Sequence, residues 1–264
     1  MGLSNFTPND DDAHNPNGSG NGSGAPNIVS VGPSAPSHNH TITGGSDIGD
    51  MLINYNEEHK KSSPALFRDE IVTQTMSIIS SSRKPNALLV GPAGVGKTAI
   101  VEEIARRIAN QEASVPPQLK NTTIYELPIA TLVAGAGIVG ELENRITDII
   151  KFAQDPDNDA LLFIDEIHII ADDSNPTYSK IAQILKPALA RGYLRVIAAT
   201  TMGEAKRLDD DPAFKRRFSS VIVDELNREQ TRSILDVVLP GMLTHYQNKV
   251  SVTSDVLDDI VATA

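Results

Sequence analysis

Residues Gly91 to Thr98 read Gly-Pro-Ala-Gly-Val-Gly-Lys-Thr, and this octet confines the chain to a narrow set of folds. It fits the pattern G-x-x-x-x-G-K-[ST], whose glycines let the backbone double back until several N–H groups converge on one anion. The flanks supply the context the pattern needs. Ala87-Leu88-Leu89-Val90 is a short apolar run suited to a buried strand, and Ala99 to Ala109 sets Ile100, Val101, Ile104 and Ile108 on one helical stripe. A helix starting at the loop adds positive potential where the N–H groups converge. Strand, glycine loop and helix predict a site for a nucleoside triphosphate. In it Pro92, Ala93, Gly94, Val95 and Gly96 wrap the phosphates, Lys97 reaches the outer two, Thr98 holds Mg²⁺ and Ala99 opens the helix.

The remainder alternates between strand-like and helix-like stretches. Helices are expected over Leu66 to Ser82, Glu141 to Ala153 and Tyr178 to Ala190, with strands at Thr122 to Leu127, Ala160 to Ile164, Leu194 to Ala199 and Val221 to Val223. The continuous apolar runs suit parallel strands covered on both faces. The expected fold class is therefore α/β, a five-stranded parallel sheet between helices joined by right-handed crossovers. Past Asn227 the pattern is helical only, to about Tyr246 and again from Ser254, as at the start of a small helical domain.

The opening stretch is of another kind. Its first 50 residues hold nine of the eighteen glycines and five prolines, with no lysine or arginine. Such a composition cannot bury enough apolar surface to offset its chain entropy. The expected domains are a disordered tail and linker over 1–60, a large domain over 61–226 and an incomplete helical lid over 227–264.

Leu161-Leu162-Phe163-Ile164-Asp165-Glu166 is an apolar strand ending in two carboxylates. In open α/β sheets the carboxyl ends of strands face the ligand crevice. Asp165 would sit beside the Mg²⁺ held by Thr98, and Glu166 would act as general base on the attacking water. Val196 to Thr201 is a second buried run ending in hydroxyls. If it lies between the first strand and the acid-bearing one, Thr201 or Thr200 can touch the γ-phosphate or the water. Arg216-Arg217 is either a solvated basic end or a cation brought to the γ-phosphate to stabilise the transition state.

Together Gly91 to Thr98, Leu161 to His168, Thr200-Thr201 and Arg216-Arg217-Phe218 resemble an AAA+ ATPase. Ile184 to Gly192, Leu132 to Ala136 and Asp211 to Phe218 narrow the likeness to the first ATPase domain of Clp-type protein unfoldases and disaggregases. The resemblance runs from about Ser63 to the end. It implies an ATP-hydrolysing ring, usually a hexamer of identical subunits, with ATP and Mg²⁺ at each junction. It also implies that Lys97, Thr98, Asp165 and Glu166 act in cis, that Thr201 is the sensor, and that Arg216 and Arg217 reach into the neighbouring site. Ala65, Leu66 and Phe67 align with the segment that cups the adenine, Phe67 standing where the family has glycine. Gly137-Ile138-Val139-Gly140 aligns with the loop that grips the translocated polypeptide, Ile138 replacing the family's tyrosine. An aliphatic side chain keeps an apolar grip but loses ring area.

The preferred reading is an oligomeric ATPase that remodels or unfolds polypeptides. Two others share the fold: an ATPase acting on DNA, and a nucleotide-gated assembly scaffold. With 34 acidic residues against 23 basic, a net charge of −11 argues against nucleic acid as partner. Zero cysteines fit a reducing compartment. No apolar stretch approaches the roughly 20 residues of a membrane span, so the expected compartment is the cytoplasm.

Overall fold

The computed structural model describes residue 48 and residues 51–134, 139–171, 175–209, 216–245, 247, 249 and 251–263. Its strands are β1 (Ile53–Asn54), β2 (Asn86–Val90), β3 (Thr123–Glu126), β4 (Ala160–Ile164), β5 (Val196–Thr200) and β6 (Phe218–Ile222). They form one six-stranded sheet in the order β1-β3-β4-β5-β2-β6. Every residue of β2, β4 and β5 is buried, as their unbroken apolar runs require. The five strands β2 to β6 pair in parallel, Asn86 lying opposite both Val196 and Phe218, and Val90 opposite both Thr200 and Ile222. Strand β5 stands between β2 and β4, the condition on which a role for its terminal threonines depended.

The sixth strand corrects the expected count. Ile53 lies opposite Glu126 and Asn54 opposite Tyr125, antiparallel, at the sheet edge. Two residues are too few to show any alternation, so the strand leaves no periodic trace in the sequence. It is continued by helix α1 (Tyr55–His59), which Asn54 caps by accepting from the Glu57 N–H at 3.2 Å. Asn56 fastens that helix to β3, donating to the Thr122 carbonyl at 3.0 Å and accepting from the Ile124 N–H at 3.0 Å. Met51, Leu52 and Tyr55 are buried. Residues 51–60, expected to belong to the tail, are therefore folded against the sheet.

The side chains of each central strand alternate between two cores. Leu88, Val90, Leu162, Ile164, Val196 and Ala198 join the core on one face. Helices α5 (Val139–Gln154) and α6 (Pro176–Arg191) close it with Leu142, Ile146, Ile149, Ile181, Leu185 and Leu189. On the other face Ala87, Leu89, Leu161, Phe163, Ile197 and Ala199 meet α2 (Asp69–Ile79) and α3 (Lys97–Ala109). Ile100, Val101, Ile104 and Ile108, the stripe expected from their spacing, are all buried there. Two helix layers thus sandwich the sheet, and each carboxyl strand end opens at one edge between them. Helix α4 (Ile129–Ala134) and the short α7 (Met202–Asp209) follow β3 and β5, and 3-10 turn Ile167–Ala171 follows β4. Two further helices, α8 (Arg228–His245) and α9 (Ser254–Thr263), pack on each other, with Arg232 donating to Asp258 at 2.8 Å.

A buried ionic cluster anchors α3. Glu103, 2% exposed, accepts from Arg106 at 2.8 and 2.9 Å, from Arg107 at 2.6 Å, and from the Ala65 N–H at 3.1 Å. Arg107 also pairs with Asp69 and Arg106 with Glu112. The cluster therefore binds α3 to α2 through Arg107 and Asp69, and to the segment at Ala65 that flanks the glycine loop through Glu103. Burial alone pushes the Glu103 carboxyl up, but the hydrogen bonds from Arg106, Arg107 and Ala65 outweigh it and hold the group below its ordinary value. Removing one partner of such a cluster strands buried charge. Glu103→Ala should lower unfolding free energy by about 3 kcal/mol in urea titrations, and an unchanged midpoint would remove the cluster's structural role. Because the folded carboxyl titrates below the unfolded one, its contribution is complete at neutral pH and is lost as pH falls below 4.5. A parallel pH series on Glu103→Gln should lack that component.

Candidate nucleotide-binding site

The site begins where β2 ends. The Gly91 N–H donates to the Thr200 carbonyl at 3.3 Å, and a Cβ at Gly91 would stand 2.3 Å from the Val223 carbonyl oxygen. Only glycine passes there. Gly94 and Gly96 follow with φ of 76° and 94°, which other residues adopt only at a cost. Gly96 is the N-cap of α3 and lends it no side-chain cap, and the first turn of that helix carries no acid. Its leading N–H groups and positive end thus face the loop uncompensated. Lys97 folds back over the loop, donating to the carbonyls of Gly91 at 3.0 Å and Pro92 at 2.8 Å. The loop so shaped is a cradle for a phosphate chain.

Thr98 meets the end of β4 from the opposite side. Its hydroxyl donates to Asp165 Oδ2 at 2.9 Å, while Asp165 Oδ1 accepts from the Glu166 N–H at 2.9 Å. Residues 67 positions apart are brought together, and Glu166 comes next, exposed and with φ of 48°. The hydroxyl and carboxylate form the oxygen set that suits Mg²⁺. Thr200 is buried at the end of β5. Thr201 follows, its hydroxyl donating to Glu204 at 2.6 Å. The Thr201 hydroxyl, with smaller contributions from other neighbours, holds the Glu204 carboxyl below the usual carboxylate range.

Beside the loop lies a cavity of about 720 Å³ lined by Pro64, Ala65, Leu66, Gly94 to Gly96 and Ala99. Helix α8 walls its far side with Ile234, Val237, Val238 and Met242. A second cavity of about 670 Å³ runs past Ala93, Gly94 and Val95 toward Glu225 to Arg228. Arg68 lines both. It is buried, and donates to the Val95 carbonyl at 2.7 Å and the Asp224 carbonyl at 2.9 Å. Burial pushes its guanidinium down from its ordinary value. Leu66 lines the larger cavity, but Phe67 does not. Phe67 has a φ of 59° and a side chain 46% exposed.

Some expected residues stand apart. Arg216 is exposed, and Arg217 donates to the Ala190 carbonyl at the end of α6. The next residue, Phe218, lies opposite Asn86, so both arginines sit at the amino end of the parallel strands. The glycine loop is at the carboxyl end, roughly 15 Å of strand away. Gly137 and Ile138 lie outside the described residues, as do 135–136 and 211–215. Val139 starts α5 and Gly140 is exposed with open space where a Cβ would point.

Several neighbours of the site were not anticipated. Tyr55 packs its ring on Phe163 at 5.5 Å, with the Glu126 carboxyl nearby. Burial, reinforced by Asp165 nearby, pushes the Glu126 carboxyl up, and burial followed by Glu126 pushes the Tyr55 phenol up. The wall on α8 did have a signal. Its apolar residues recur at three- and four-residue spacing, although none of the helix is buried.

With this geometry in view, the likenesses to known proteins are informative. Chaperone protein ClpB of Aquifex aeolicus is 40% identical over 203 residues, 75% of this chain and 20% of its own. The ATP-dependent Clp protease ATP-binding subunit ClpE of Bacillus subtilis is 44% identical over 173 residues, 65% of this chain and 24% of its own. The chain thus spans about a fifth to a quarter of the length of these relatives. Among solved structures, the S. cerevisiae Hsp104-ADP complex matches with a TM-score of 0.71 and 33% identity, over 80% of this chain and 36% of that one. The S. cerevisiae Hsp104:casein complex in its extended conformation matches at 0.67 and 34%, over 76% and 34%. Residues 87–226, which hold the glycine loop, the acidic strand end and both terminal threonines, match the ATPase family associated with various cellular activities. The chain belongs to that AAA family.

Proposed function

We propose that this chain is an ATP-hydrolysing motor domain that assembles with copies of itself and remodels polypeptides. The observation that carries the hydrolytic part is the meeting of Thr98 and Asp165 at 2.9 Å, with Lys97 beside them on the glycine loop. Thr98 and Asp165 would hold Mg²⁺, which when bound neutralises charge on the phosphate oxygens. Lys97 and the loop N–H groups bind and orient the triphosphate. Glu166, exposed at the same strand end, takes a proton from the attacking water. Thr201 reads the γ-phosphate. Leu66 and the α8 wall hold the base in the apolar cavity.

Assembly follows from the two arginines. Arg216 and Arg217 precede the strand end remote from the subunit's own loop, which supports a role for them in the site of an adjoining copy. The Clp-type relatives and the Hsp104 structure with casein support a polypeptide as substrate. In this reading Gly137, Ile138, Val139 and Gly140 form the gripping loop, and the ring is a hexamer. Among the described residues no helix is long and apolar enough to cross a membrane, and the cytoplasm is the compartment proposed. Neither DNA nor a purely scaffolding role draws support from a specific feature of the site.

Glu166→Gln should retain ATP while turnover falls at least about 100-fold, the usual worth of a positioned base. Unchanged phosphate release would remove Glu166 from the chemistry, whereas association with ATP and no release by the unmodified chain would favour the scaffold. The arginine assignment has a separate check. Lys97→Ala and Arg217→Ala should each be inactive alone, the second by on the order of 10³-fold. Mixed, they should recover turnover, because junctions form that pair an intact loop with an intact arginine. Mixtures no more active than either variant would place the arginine in cis.

A further inference from the structure

The end of β5 holds an arrangement that an ordinary helix start does not need. Thr201 precedes α7 as its N-cap, and Glu204 is the third residue of the helix, spaced as in a capping box. The cap bond is present: Glu204 Oε2 accepts from the Thr201 N–H at 3.2 Å. The same oxygen also has the Thr201 hydroxyl at 2.6 Å, the Thr200 hydroxyl at 3.4 Å and His168 Nδ1 at 3.1 Å. His168 Nδ1 and the Thr200 hydroxyl are themselves 3.4 Å apart.

One carboxylate oxygen accepts about two good hydrogen bonds. The Thr201 N–H, the two hydroxyls and, in the tautomer that carries its proton on Nδ1, His168 therefore compete for Oε2, and the loss of one donor is made good by another. His168 comes from neither α7 nor β5. It sits on the 3-10 turn Ile167–Ala171, directly after Glu166. A single acid thus ties the threonine proposed as sensor to the turn that directly follows the proposed general base.

We infer that Glu204 is a positioning residue that reports occupation of the γ-phosphate position from Thr201 to the Glu166 turn. The inference rests on Thr201 and Glu166 having the roles proposed above. Before nucleotide arrives, Glu204 holds the Thr201 hydroxyl. When a γ-phosphate draws that hydroxyl away, the vacated acceptor capacity passes to His168, and the turn bearing Glu166 is drawn toward β5. Glu166 is exposed and at positive φ, so a small rotation of its side chain meets solvent on its open side. The device makes hydrolysis depend on the third phosphate without adding a contact to the nucleotide.

The test uses the full chain at a concentration where it turns over. Glu204→Gln keeps an acceptor for the Thr201 N–H, so melting temperature and ADP affinity should stay close to those of the unmodified chain. Turnover should fall on the order of 10-fold to 100-fold with KM little changed, as when a positioning contact remote from the reacting atoms is lost. His168→Gln should show the same loss, and the double variant should be no slower than Glu204→Gln alone, because the two act as one unit. Full turnover in Glu204→Gln, or multiplied losses in the double variant, overturns the inference. So does a loss that follows melting temperature, and should Glu204→Gln fold poorly, His168→Gln carries the test by itself. Thr201→Ala separates the levels. If it turns over normally the sensor role fails, and if it is impaired while Glu204→Gln is not, the relay alone fails.

Discussion

How closely the backbone can pass the sheet edge at Gly91 governs the rest of the site. A Cβ there would be driven to 2.3 Å from the Val223 carbonyl oxygen, and the Gly91 N–H bonds the Thr200 carbonyl at 3.3 Å. The chain therefore leaves β2 in contact with both flanking strands. That contact sets the glycine loop against the strand ends bearing Thr200 and, one strand further, Asp165. Arg68 clamps the far side of the loop, joining the Val95 and Asp224 carbonyls. The loop backbone and the start of α3 are thus fixed against those strand ends before any phosphate arrives, whereas Lys97 must leave the Gly91 and Pro92 carbonyls to reach one.

The parts of this arrangement differ in how visible they are in the sequence. Strands β2, β4 and β5 are legible because burial on both faces leaves each as an unbroken apolar run, and α3 because its stripe of Ile100, Val101, Ile104 and Ile108 has helical spacing. The octet at Gly91 and the acids ending β4 are legible because their chemistry demands those residue types at those places. What escapes is held by long-range pairing. Arg68 reads as a surface charge until Val95 and Asp224 are seen around it. Tyr55 and Glu126 lie 71 positions apart, too far for any local pattern to pair them. The Thr-x-x-Glu spacing at Thr201 announces a helix cap, but nothing in the sequence brings His168 to the same oxygen.

Helix α8 shows what an unfilled core costs. Val237, Val238 and Met242 are 57%, 48% and 52% exposed, and the helix buries none of its residues. Their apolar side faces the cavity beside the glycine loop. Each apolar side chain covered there gains on the order of 1 kcal/mol. On the proposed function, a bound base would supply the missing half of that core. Nucleotide binding and placement of the lid become one equilibrium, and a motor needs such coupling if chemistry is to move anything.

Strand register carries the argument from one site to two. Strands β2 and β6 are paired over five residues, from Asn86 opposite Phe218 to Val90 opposite Ile222. The glycine loop follows one end of that ladder and Arg217 precedes the other. No arginine side chain spans the length between them, and a five-residue parallel ladder in the sheet does not slide. Reversing the arrangement would require unpairing β6 and exposing Val221 and Val223, both fully buried. On the proposed function, a guanidinium of this pair would meet a γ-phosphate only across a junction between subunits. Each copy would then present a phosphate cradle at one end of its sheet and the cation for another cradle at the opposite end. A head-to-tail arrangement of this kind closes into a ring when the rotation between copies allows it, and in the proposed motor hydrolysis at one junction would be felt by the subunit that supplied the arginine.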